Sequence, residues 1–142
     1  MMLSRTLLWL TLAVSPVAFS AGIDAGQWEF SVKNEMEGLP PPQHSLKLSK
    51  CIDKADAANL LKVVPLVPGA TPDSCELSNQ KVNGSHTSFS LACSGYPQVK
   101  GEGEVQLAGA SLSGSTKSLL DSNTYQKHLT QTFTGKRVGA CK

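Results

Sequence analysis

The sequence predicts a mostly β protein: an antiparallel meander forming a curved sheet or a small up-and-down barrel, with one short α-helix and two disulfides. Three observations carry that prediction. Short segments of alternating apolar and polar residues follow one another, separated by Gly, Asn and Pro turn signals. Only one stretch, around Ala57 and Leu60, has helical composition. Four cysteines at wide spacing supply an even number of thiols for cross-links. At 142 residues the chain has room for one core.

The N-terminal segment is set apart from the fold. Met1–Arg5 is short and positive, Thr6–Val14 is an apolar run, and Ser15-Pro16 breaks it. Ala18-Phe19-Ser20 then places small residues where a signal peptidase reads. The expectation is a signal peptide over 1–20 and a single β-rich domain over 21–142. The apolar run falls short of the roughly 20 residues that span a bilayer. No later stretch reaches that length, so no transmembrane segment is expected. A protein exported in this way to the periplasm, or secreted, meets an oxidising compartment.

The strands follow in order. Trp28–Asn34 alternates as a half-buried strand does, and Glu37–Pro42 is a stiff loop. His44–Cys51 alternates again through Leu46 and Leu48. Asp53–Lys62 reads as the helix, with Asp53 as its cap and Asp56 in its first turn. Val63–Pro72 cannot continue it, because proline removes a donor and clashes with the preceding turn. Glu76–Val82 and Thr87–Cys93 flank a turn at Asn83-Gly84-Ser85. Gly95-Tyr96-Pro97 turns into Gln98–Leu107, and Gly109-Ala110 turns into Ser111–Leu120. After Asp121-Ser122-Asn123, Tyr125–Phe133 alternates to the last strand.

Gly101 and Gly103 share one strand face. A stripe of small residues inside a strand marks sharp curvature, close approach of another group, or room for a ligand. Curvature is the reading preferred here.

The cysteines pair by register. Cys75 and Cys93 lie nine residues on either side of Gly84. A three-residue turn centred on Gly84 sets them opposite each other, close enough to bridge. Cys51 then pairs with Cys141. A zinc site is the weaker reading, since no two cysteines form a C-x-x-C pair.

An ordered set of local motifs spans the exported part: Gly26-Gln27-Trp28-Glu29, the Pro-rich loop, Cys51 before an Asp-led segment, Cys75, Cys93-Ser94-Gly95, Gly101-Glu102-Gly103 and Gly135–Cys141. In this the chain resembles the exported proteobacterial family called domain of unknown function 3617. The resemblance implies a small periplasmic four-Cys β-rich protein. It implies no activity and transfers no catalytic or binding residue.

The chemistry-bearing residues are scattered. With formal net charge +2 and 6% aromatics, the chain lacks the basic field and stacking platforms of a nucleic-acid binder. His44, His86 and His128 have no acidic or Cys neighbour at ligand spacing, so no metal and no cofactor is expected. Ser78-Asn79-Gln80-Lys81 matches S-x-x-K, but that chemistry needs a helix. In a regular strand residues three apart face opposite sides. No G-x-S-x-G elbow or H-E-x-x-H stands in the chain. Glu102 and Glu104 share a strand face; paired carboxylates serve glycosidases, yet E-x-E is also an ordinary solvated surface. Asn83-Gly84-Ser85 fits a glycosylation sequon and is better explained as a turn. Lys136-Arg137 with Lys142 forms a minor basic spot.

Trp28, Phe30, Phe89, Tyr125 and Phe133 are the aromatic candidates, either as core or as lining for an apolar ligand inside a barrel. Core is preferred, since a small barrel is filled by its own side chains. The sequence thus predicts a non-enzymatic β-domain that binds a partner protein or an apolar small molecule in the cell envelope. The alternatives are a cell-envelope hydrolase using Glu102 and Glu104, and a purely structural envelope accessory.

Overall fold

Seven strands pair into one sheet in the order β2-β1-β7-β6-β5-β4-β3, every pairing antiparallel. The strands are β1 (Gly26–Met36), β2 (Leu46–Ile52), β3 (Cys75–Asn83), β4 (His86–Cys93), β5 (Gln98–Leu107), β6 (Ser111–Asp121) and β7 (Gln126–Gly139). This computed structural model describes residues 22–142, so the expected signal peptide lies outside the described residues. The sheet is open: β2 and β3 are its edges and do not meet. Of the two sheet forms that the alternation allowed, the open one is found and the closed barrel is not.

The two faces differ as period-2 patterning requires. One carries Trp28, Phe30 and Val32 from β1, Leu129 and Phe133 from β7, Leu112 and Leu120 from β6, Val99 and Val105 from β5, and Phe89 and Leu91 from β4, all buried. The other carries Ser31, Thr132, Thr134, Ser113, Ser115, Glu102, Glu104, Ser88 and their neighbours, exposed or half-exposed.

A strap covers the apolar face. The chain leaves the β2 edge after Ile52 and reaches the opposite edge at Cys75. Along the way it buries Val63, Val64 and Val67 in the same core as the strands. Burying each such side chain stabilises the fold by roughly 1.5–3 kcal/mol. The strap contains the expected helix in broken form: a 3-10 turn at Asp56–Ala58 and one α turn, α1, at Leu60–Val63. The break sits at Asn59, whose backbone is extended at φ −112°, ψ 105° and whose side chain accepts from the Leu61 amide at 3.1 Å. Asn favours such local caps over helix interiors. Asp53 accepts from the Asp56 amide at 2.7 Å, which is the capping contact expected of it.

Three phenylalanines explain the glycines. Phe89 stands directly opposite Gly103, Phe133 opposite Gly114 and Phe30 opposite Gly135. A Cβ on Gly103 would lie 2.5 Å from Phe89 Cζ, and one on Gly114 2.7 Å from Phe133 Cζ. Each ring lies over the neighbouring strand where a side chain is missing. The space at Gly103 is thus filled by the protein's own ring, not left for a ligand. At Gly101 a Cβ would meet the Lys117 carbonyl and Ser118 Oγ, both at 2.5 Å, so close approach of β6 requires the glycine there.

Both disulfides pair as the register argument predicted: Cys75–Cys93, with Cα atoms 4.0 Å apart, and Cys51–Cys141, 5.4 Å apart. The local geometry reaches that result by another route. The β3–β4 turn has two central residues, since Asn83 pairs with His86. A one-residue bulge between Ser78 and Lys81 restores the register, with Asn79 at φ 52°. Shorter turn and extra residue cancel, and Cys75 still faces Cys93. The cross-links stand immediately before and after the strap and hold both of its ends.

Candidate functional site

The aromatic candidates separate into two groups. Trp28, Phe30, Phe89 and Phe133 are buried in the core. Trp28 and Phe30 stack with centroids 6.1 Å apart, and the indole N–H donates to the Asp24 carbonyl at 2.9 Å. Tyr125 does not join them. It lies in the β6–β7 turn, 43% exposed, because β7 begins one residue later, at Gln126. Its place in the alternation was sound, but the strand pairing that would bury it stops short.

Polar groups interrupt the centre of the core. Asn34, Gln131 and Thr116 stand in one cross-strand row, and Gln131 donates to Asn34 Oδ1 at 2.9 Å. Gln131 Oε1 and Ser118 Oγ are buried without a hydrogen-bond partner. Leaving such an atom unpaired costs about 1–3 kcal/mol. The sequence signal for this was Gln131 standing between Leu129 and Phe133 on an apolar face.

The polar face holds most of the chemistry-bearing residues. An open trough of about 810 Å3 is lined by Lys81, Ser88, Ser90, Glu102, Glu104, Lys117 and His128, among others. Glu102 and Glu104 are therefore neighbours on the solvated face, as their spacing predicted. The bulge brings Ser78 and Lys81 to this same face, opposite Ser90 and Ser88. A regular strand would have separated them; the extra residue reverses that expectation. His86 sits beside the trough, its Nε2 3.3 Å from Glu104 Oε2, with both side chains largely in water. His128 stands opposite Leu119 on another strand, and His44 lies in the β1–β2 loop. The three histidines are thus apart in the fold, two on separate strands and one in a loop. Among the described residues no group of three or more His, Cys, Asp or Glu is placed to hold a metal ion.

The basic spot divides. Lys136 pairs with Glu29 in the register and lines a second, 440 Å3 hollow with Lys47 and Ser31. Arg137 turns to the other side, where its Nε donates to the Ala25 carbonyl at 2.7 Å and holds down the start of β1.

The two sheet edges are unlike. On the β3 edge the bulge interrupts the ladder. The β2 edge is regular, pairing residue for residue with β1 from Gly26↔Ile52 to Val32↔Leu46. Leu46 and Leu48 point to the apolar face beside Val32 and Phe30, yet remain 56% and 47% exposed. Leu39 in the adjoining loop is exposed as well. Lys50, also on this strand, lies over the Phe30 ring at 5.3 Å and donates to the Lys62 carbonyl at 2.6 Å. Burial pushes its ammonium below the usual lysine range, with Asp56 partly opposing the shift. Sequence reasoning placed Leu46 and Leu48 on one face but did not single them out, because alternation does not report whether an edge is covered.

The family described as protein of unknown function (DUF3617) matches residues 23–141, and the chain belongs to that family. Searches of curated proteins and of solved structures found no match.

Proposed function

We propose that this DUF3617 protein is an exported, disulfide-stapled module that works by binding a partner protein, not by catalysis. The open β2 edge carries the reading. A regular strand with Leu46 and Leu48 exposed beside a buried core is an unfinished sheet, and strand edges of this kind pair with other chains. Three further features support it. Phe89 and Phe133 fill the space an interior apolar ligand would need. Glu102, Glu104 and His128 lie on an open, solvated face. Both disulfides, and the N-terminal apolar run expected to be a signal peptide, agree with a place outside the cytoplasm. Among the described residues, no helix is long and apolar enough to cross a membrane.

Native mass spectrometry of the oxidised protein, isolated without detergent from its own host, tests the interior half of this reading. The expected mass is that of residues 21–142 with two disulfides and nothing else. A reproducible adduct of lipid mass would overturn it and make the protein a carrier.

A further inference from the structure

We propose that the β2 edge accepts an extended acidic segment of another protein as an eighth strand. This inference rests on the binding reading above and names the chemistry of its partner. Its first support is geometric. Residues 46–52 form a bulge-free strand, and among the described residues no backbone hydrogen bond beyond the β1 ladder involves them. An edge strand leaves N–H and C=O groups of alternate residues pointing outward.

The side chains specify what fits. Cross-strand rows on the apolar face run from Phe133 through Val32 to Leu46, and from Gly135 through Phe30 to Leu48. Val32 and Phe30 are each 2% exposed, while the two leucines that end the rows are about half exposed. An incoming strand with apolar residues at every second position continues both rows.

Charge decides between partners. β2 carries Lys47 and Lys50 and no acidic residue, and the Asp53 and Lys54 that follow its end offset each other in charge. Lys50 is engaged inward. Lys47 has only Ser31 Oγ, at 3.2 Å, and neither of the ion pairs among the described residues includes it. A second copy of β2 would bring two more lysines and no carboxylate to the same edge. Acidic residues at the intervening positions of a different chain complement Lys47 on the polar face. Like charges across such a boundary suppress wrong partners and opposite charges steer the right one.

The probe is a fluorescein-labelled heptapeptide alternating Glu and Val, read by anisotropy against the oxidised protein. Saturable binding is expected, weakening by about 10-fold or more when Lys replaces Glu in the peptide. N-methylation of alternate peptide amides abolishes it, because the outward ladder then lacks donors. Leu48→Glu in the protein abolishes it too, whereas Val82→Glu on the β3 edge leaves it unchanged and controls for folding. Absence of binding up to about 1 mM peptide, or equal binding of the Lys peptide, overturns the acidic partner. A dimer in sedimentation that Leu48→Glu dissociates overturns it in favour of self-pairing. If the peptide fails while a photocrosslinker at position 48 still captures one defined protein in cells, the partner chemistry falls and the binding reading stands.

Discussion

The fit of Phe89 over Gly103 makes a sharp test of how the core is built. Gly103→Ala adds one methyl group, whose carbon would lie 2.5 Å from Phe89 Cζ, 2.7 Å from Cε2 and 2.8 Å from Thr116 Cγ2. Carbon atoms rest at about 3.5–4.0 Å, so the ring must retreat by about 1 Å. Phe89 is 3% exposed, so its ring is packed among core neighbours. Overpacking of this size costs about 1–3 kcal/mol, while replacing a strand glycine returns roughly 0.5–1 kcal/mol of chain entropy. The net expectation is a loss of up to about 2.5 kcal/mol, or up to about 10 °C in Tm for a domain of this size. Urea unfolding of the oxidised protein measures it. The same change in a Phe89→Leu background should be neutral or stabilising, giving a coupling of about 1 kcal/mol or more. An equal effect in both backgrounds would refute the ring-over-glycine account.

Other expectations follow from the cross-links, the buried hydroxyl and the two unusual lysines. Replacing Cys51 and Cys141 together by Ser opens a 90-residue loop and should cost up to about 4–5 kcal/mol; the Cys75/Cys93 pair, 18 residues apart, should cost about 3 kcal/mol. Denaturant midpoints of the two double variants should rank in that order. Ser118→Ala removes a buried hydroxyl without a partner and should raise stability by about 1 kcal/mol; a loss would show that the hydroxyl is bonded in solution. In an NMR titration of the lysine side chains, Lys50 should release its proton below the other lysines, because burial disfavours its charge. Lys62, hydrogen-bonded to Asp56 at 3.0 Å, should release its proton above them. The linkage signs are opposite. The Lys62 contribution is present below the normal lysine pKa and is lost as pH rises through its raised value. The Lys50 penalty is relieved as pH climbs from its lowered value toward the normal one. Titration of Lys50 with or above the bulk would contradict its burial against Phe30.

What could be read from the chain, and what could not, follows from the range of each signal. Alternation is local, so Gln98–Leu107 and its neighbours were legible nearly to the residue. The Cys75–Cys93 pairing was legible although the turn was misjudged, because a bulge at Asn79 compensates one residue for one. That bulge also reversed the side on which Lys81 lies, which no periodic argument detects. The strap was legible only as a helix with a Pro-containing tail; nothing local tells that Val63, Val64 and Val67 cross the sheet. Gly103 was legible as a gap, but the ring that fills it stands 14 positions away in sequence. Whether the sheet closes depends on β2 and β3, which never touch. So the exposure of Leu46 and Leu48, on which the proposed site depends, was beyond a strand-by-strand reading.

The central claim is that this protein acts through its β2 edge. A photoreactive phenylalanine analogue placed at position 48, and separately at position 117 in the polar trough, tests it in the native host. The account predicts one discrete protein adduct from position 48 and none from position 117. Adducts from position 117 with position 48 silent would contradict it and move the function to the trough that holds Glu102 and Glu104.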